Sequence, residues 1–167
     1  MSERTDFLRK RLAAAQAEMV AVFAQADGRW ETPVYADGAA WNVRQVAIHL
    51  AEAERGLFGQ MKSIVETGSS TVPDDFDVDR YNQRSVEKRD TVTGPEALAA
   101  QAATRADLMA WVETLTAADL EKTGRHPVIG IIPIDMYIRV IARHQKDHTA
   151  DTAKALGLQA AAGTASL

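Results

Sequence analysis

Apolar residues recur at helical spacing along four stretches of the chain, in the first at alternating steps of four and three, and each stretch predicts an amphipathic helix. In the first, residues 4 to 26, Leu8, Leu12, Ala15, Met19, Val22 and Ala26 form one stripe. Asp27-Gly28 ends it, and Pro33 keeps the next segment out of helix, leaving a loop over 28–40 anchored by Trp30 and Tyr35. The second helix starts after Asn42, an N-cap that Gln45 completes as a capping box. It carries Val43, Val46, Leu50, Ala53, Leu57, Met61 and Ile64 and ends near Thr67-Gly68. The third opens at Pro95, with Leu98, Ala102, Leu108, Met109, Val112 and Leu115 as its apolar side. The last starts at Pro133 and closes at Gly157. Its inward stripe reads Ile134, Tyr137, Ile141, His144, His148, Asp151 or Thr152, and Ala155.

The connections are long. Ser69, Ser70, Pro73 and the aspartates 74, 75, 77 and 79 read as loop, and residues 80–89 as a short helix. A loop of this length in a compact domain serves as a functional lid or a dimer contact. Residues 116–132, with His126, Pro127 and Gly130, form another connection. No stretch reads as a strand, so the expected architecture is an all-α four-helix bundle with long inter-helix loops. One domain is expected over 1–157, followed by a flexible tail over 158–167.

Composition narrows the partners. A net charge of -4, with both signs dispersed, argues against a nucleic-acid or anionic-membrane surface. No run approaches the roughly 18 apolar residues of a membrane span. The charged start lacks a signal-peptide core, which makes the cytoplasm the expected compartment. The chain has no cysteine, so any sulfur chemistry requires a thiol from outside.

The candidate chemistry lies in the histidines. His144 and His148, within Arg-His-Gln-Lys-Asp-His, stand one helical turn apart at positions where the stripe calls for apolar residues. His49 sits on the inner half of the second helix, and Ala53 and Gly56 on nearly the same face leave space beside it. Inward imidazoles need partners for their nitrogens. One solution is a metal ion shared by all three, which leaves coordination positions open. The other is hydrogen bonding to carboxylates such as Glu52, Asp147 or Asp151. His126 reads as a surface or packing residue. Glu52 reads as an exposed or neighbouring carboxylate rather than a fourth ligand, and Asp147 and Asp151 as groups that orient imidazoles or solvate the helix. Trp41 reads as core packing beside the second helix, and Asp79 to Asn82 as capping for the short helix, with Asn82 a possible cavity residue. Arg139 and Arg143 are open to an anionic substrate or to surface ion pairs.

The stretch Trp41-Asn-Val-Arg-Gln-Val-Ala-Ile-His49-Leu50, followed far downstream by His144-Gln-Lys-Asp-His148, resembles the DinB/YfiT-like superfamily over roughly residues 4 to 157. The resemblance implies a four-helix bundle of unusual helix order, often a homodimer, with a divalent ion such as zinc or nickel on His49, His144 and His148. It also implies an activity. Characterised relatives include thiol-dependent transferases and a maleylpyruvate isomerase that use mycothiol or bacillithiol. No separate C-terminal domain of the kind some mycothiol-using relatives carry is visible here.

Three readings follow. An open three-histidine site can ionise a small thiol for transfer to, or isomerisation of, a small-molecule substrate. It can instead activate water for hydrolysis, with Glu52 or Asp151 as general acid or base. The third reading is a metal- or ligand-binding dimer without catalysis. A di-metal carboxylate bundle is disfavoured, because no Glu stands three residues before His49, His144 or His148.

Overall fold

The structure, a computed structural model, describes residues 2–158. The main helices are α1 (Glu3–Phe23), α2 (Val43–Thr67), α4 (Gly94–Thr114) and α6 (Ile134–Ala155), with shorter α3 (Val78–Glu87) and α5 (Ala117–Glu121) in the connections. Every start but that of α6, where Pro133 leads in and the Ile134 amide donates to the Lys122 carbonyl, is fixed by a side chain that satisfies helix N–H groups left over at the first turn. Ser2 with Thr5, Asn42 with Gln45, and Thr93 with Glu96 form capping boxes. Asp77, not Asp79, caps α3. Gly68, at φ 73°, ends α2 in the left-handed conformation that glycine adopts without strain. The tail expected over 158–167 lies, Leu158 apart, outside the described residues.

In the bundle α1 packs along α6 and α2 along α4, while α2 also crosses α6. Two apolar clusters follow one another along the bundle. One gathers Leu8, Leu12 and Ala15 with Phe58, Met61, Leu108, Val112, Tyr137 and Ile141. The other gathers Met19 and Phe23 with Trp41, Val43, Val46, Ile48, Ala97 and Leu156. Between them, on every one of the four helices, the stripe turns polar: Gln16, Glu54, Gln101, Arg105 and Gln145.

That layer corrects two stripes read from sequence. On α4 the buried face is Ala97, Gln101, Arg105, Leu108 and Val112, while Leu98 is half-buried and Ala102 exposed. On α1 Phe23 is buried where Val22 was expected. On α6 Thr152 is buried and Asp151 exposed. The layer is closed on itself. Arg105 donates twice to Glu54, at 2.6 and 2.9 Å, and also to the Gln145 side-chain oxygen and the Leu12 carbonyl. Gln101 donates to Glu54 and exchanges hydrogen bonds with Gln16. A bidentate guanidinium–carboxylate pair has strict geometry, so it fixes the helices' relative register.

The connection over 116–132 holds structure that the sequence pattern did not show. Strands β1 (Thr123–His126) and β2 (Gly130–Pro133) pair antiparallel, with Gly124 opposite Ile132 and His126 opposite Gly130. Four-residue strands are too short to establish an alternation. Gly124 is required there, because a Cβ on it would lie 2.3 Å from Ile64 Cδ1 on α2. Among the described residues no helix is long and apolar enough to cross a membrane.

Candidate metal centre

The site is built at the start of α2. The Asn42–Gln45 box sets where the helix begins, and so places His49 in its second turn, facing α6. The preceding loop folds back on this start. Pro33 bridges to Asn42, and the Val34 and Tyr35 amides both donate to the Trp41 carbonyl. Trp41 is buried with its ring 4.6 Å from that of His49, and Tyr35 is brought up to His148.

His144 Nε2 lies 3.1 Å from His49 Nε2 and 3.1 Å from His148 Nε2. The three ligand atoms all lie within 4.8 Å of one another. Two nitrogens each about 2.0–2.1 Å from one tetrahedral ion stand about 3.3 Å apart, so this donor set fits a divalent cation. A proton on His144 Nε2 serves one neighbour well, whereas a single cation satisfies all three lone pairs at once.

The hydrogen bonds behind His148 set its tautomer. Tyr35 has one hydroxyl proton and donates it to Asp151 Oδ2 at 2.8 Å. Its oxygen then accepts from His148 Nδ1–H at 2.6 Å, which leaves the Nε2 lone pair facing the cluster. Asp151 therefore acts on the imidazole through Tyr35, a residue that the sequence reading placed only as a loop anchor.

All three imidazoles are held neutral. Burial, then the charges of His144 and His148, pushes His49 down to about 2. Burial first, then His148, pushes His144 down to about 4. Burial lowers His148 as well, against the opposing pull of Asp151 and Asp147. Neutral imidazole is the form that binds metal.

His49 and His144 open onto a cavity of about 290 Å³. Ala53 and Gly56 line it beside His49, as their small size suggested. Val72, Phe76 and Val78, from the long connection, form an apolar wall together with Leu57 and Val140. Asn82 also lines the cavity, and so does Tyr81.

The carboxylates are distributed differently. Glu52 lines the cavity, is buried, and is bridged to Arg55 at 2.6 Å and Arg89 at 2.8 Å, so of its two readings the exposed one fails and the neighbouring carboxylate stands. Asp147 is paired with Arg143, and Arg139 with Asp135, all away from the cavity lining. Of the two roles read for His126, surface or packing, the structure shows packing, and adds a place on the cavity wall. It is 6% exposed, its ring packs tilted against Tyr137 with centroids 5.0 Å apart, and it lines the cavity with His49 and His144. Its Nδ1 accepts from the Val128 and Ile129 amides. Burial lowers its pKa, which keeps Nδ1 an acceptor. Pro127 and Gly130 mark a turn beside His126 in the sequence, but a turn signal does not say which side chain the turn buries.

An all-α bundle with three histidines converging from α2 and α6 defines the class. The chain belongs to the DinB superfamily, whose sequence pattern matches residues 11–151. Among solved structures it is similar to YfiT from Bacillus subtilis, described as a probable metal-dependent hydrolase with an unusual four-helix bundle topology. The two superpose with a TM-score of 0.74 over 95% of this chain and 91% of YfiT, at 20% identity, a likeness that shows the fold. No curated protein matches the chain.

Proposed function

We propose that the chain is a divalent-metal-dependent enzyme whose ion, zinc or nickel, is held by His49, His144 and His148, and whose small-molecule substrate occupies the adjoining cavity. The observation that carries this reading is the convergence of three neutral Nε2 atoms beside that cavity. When bound, such an ion acts as a Lewis acid and acidifies a small nucleophile brought to its open side.

The favoured nucleophile is a low-molecular-weight thiol, as in the thiol-using relatives that the sequence resembles. The chain has no cysteine to offer. Glu52, the one carboxylate among the cavity-lining residues, has its oxygens engaged by two guanidinium groups, so it is poorly placed to take a proton from water. In the transfer the thiol loses its proton to solvent, its sulfur forms a bond to the substrate's electrophilic carbon, and the leaving group departs with the bonding electron pair. The residues of this chain bind and exclude water. Val72, Phe76 and Val78 shield the site, and Tyr35 with Asp151 holds the His148 ring. Hydrolysis is the second reading, favoured by Glu52's presence on the cavity wall, and would require Arg55 or Arg89 to release it.

A homodimer is part of the proposal. The hairpin exposes Val128 at 70%, Ile129 at 47% and Ile131 at 68%, an apolar tip that a second copy would cover. A monomer mass by light scattering refutes this element alone.

The test of the centre is metal content. Wild type is expected to purify with, or take up, about one zinc or nickel per chain, and His148→Ala to lose it. Equal, near-zero content in both sinks the centre. Metal-dependent conjugation of a small thiol to an electrophile such as 1-chloro-2,4-dinitrobenzene supports transfer. Metal-dependent ester or amide cleavage without thiol supports hydrolysis, and metal binding with neither leaves a binding protein.

A further inference from the structure

We propose that His126 is a specificity-determining residue, its Nε2–H donating a hydrogen bond to a carbonyl-type oxygen on the substrate. The inference rests on reading the cavity as the substrate site. It starts from the hairpin turn, where the backbone N–H groups of Val128 and Ile129 point at His126 Nδ1, at 3.1 and 3.4 Å. An atom that accepts two N–H groups carries no proton of its own, so the proton of the neutral ring is on Nε2. That Nε2 is buried and has no hydrogen-bond partner among the described residues. Native proteins rarely leave a buried donor unpaired, and the exceptions mark an unfilled role.

The position gives the role. His126 shares the cavity with His49 and His144, on a lining otherwise rich in Val, Ile, Leu and Phe side chains. Apolar walls with a few convergent polar groups are how small-molecule sites combine affinity with orientation. Glu52 is engaged by Arg55 and Arg89, and the Gln60 amide is spent on Thr71 and Ser70. Asn82 and Tyr81 also line the cavity, from α3, but His126 is the lining donor whose N–H direction is fixed by the turn amides on Nδ1, which selects for an acceptor oxygen. The ligand class is therefore a compact, largely apolar molecule carrying a ketone, aldehyde, ester or similar oxygen.

Acetophenone and α-methylstyrene, which differ in replacing C=O by C=CH₂, serve as probes on the zinc-loaded protein. Binding is measured by calorimetry, and the imidazole nitrogens are followed by ¹⁵N NMR. Acetophenone is expected to bind about tenfold more tightly and to shift the His126 Nε2 resonance, which the alkene leaves in place. His126→Asn keeps an oxygen where Nδ1 accepts from the turn and removes the Nε2 donor. It is expected to bind both probes equally, with metal content unchanged. His126→Gln, which restores a donor near the Nε2 position, is expected to recover part of the preference. Equal affinity of the wild type for both probes, or a ketone preference that survives in His126→Asn, overturns the role of His126 and leaves the metal centre standing. Binding of neither probe overturns it together with the cavity as substrate site. The metal content of the same samples shows whether the centre survives separately.

Discussion

Two polar groups sit side by side in the interior of this bundle and are solved in opposite ways. Glu54 and Arg105 form a closed set in which guanidinium and carboxylate meet each other and three glutamines across all four main helices. His49, five residues before Glu54, and His144, next to Gln145, belong to an open set. There the Nε2 atoms of His49, His144 and His148 meet at 3.1 Å, and His49 and His144 face a cavity. The first group contains its own charge balance and needs nothing from outside. The second brings three ring nitrogens together with no charged partner among them, an arrangement that the proposed cation would complete. A buried polar cluster is thus diagnosed by its balance of donors and acceptors rather than by its presence. The closed layer also holds α2 and α6 in register, and so fixes the spacing on which the open one depends.

The largest effect separates the two groups by stability. Glu54→Ala strands the Arg105 guanidinium in the interior and is expected to cost about 3–5 kcal/mol in urea unfolding. Glu54→Leu with Arg105→Met is expected to recover part of that loss. Recovery is incomplete because the Gln145 oxygen and the Leu12 carbonyl lose the donor that served them. His148→Ala, measured without metal, is expected to cost less than half as much, since its half-buried ring leaves no charge behind. A larger cost for His148→Ala than for Glu54→Ala would reverse the assignment of structural and functional clusters.

The next effect lies in metal affinity. Tyr35→Phe cuts the hydrogen-bonded link that runs from Asp151 through the Tyr35 hydroxyl to His148 while keeping the aromatic packing. Outer hydrogen bonds to a ligating imidazole are worth about 10–100-fold in affinity, and a weakening of this size is expected for zinc by competition titration. The unfolding midpoint of the metal-free variant should stay close to wild type. Unchanged zinc affinity would show that His148 is oriented by packing alone.

Much of this architecture is legible in the chain. Asn42, Gln45 and Gly68 mark α2 by local chemistry, and the i, i+4 pair His144 and His148 shares a face by helix geometry alone. The closed layer is not legible to a reading that accepts only apolar residues on a seam, and so Leu98 and Ala102 were preferred on α4. Carrying steps of four and three back from Val112 and Leu108 reaches Arg105 and Gln101, which is the signal that was there. Tyr35 and His126 are harder, because their roles come from contacts that no local pattern encodes. Tyr35 meets a residue 113 positions away. His126 is buried by a hairpin whose strands are four residues each.

The smallest effect is a proton-linked one, confined to the open cluster. In metal-free protein burial holds His49 at about 2 and His144 at about 4, against an ordinary value of 6.5 in the unfolded chain. Above pH 6.5 neither state binds a proton on these rings, and stability is flat with respect to them. Below 6.5 the unfolded chain takes up protons that the native state refuses, so stability falls as pH falls. For His144 the loss runs from 6.5 down to about 4, and for His49 it continues toward 2. Each ring contributes a slope approaching about 1.4 kcal/mol per pH unit inside its window. Urea unfolding at pH 7.5 and 5.0 in a chelator is expected to show this loss in wild type and a shallower one in His144→Gln. An identical loss in the variant would mean that water already reaches the ring and that His144 is not held neutral by burial. The depressed basicity would then not be what keeps its lone pair free for a cation.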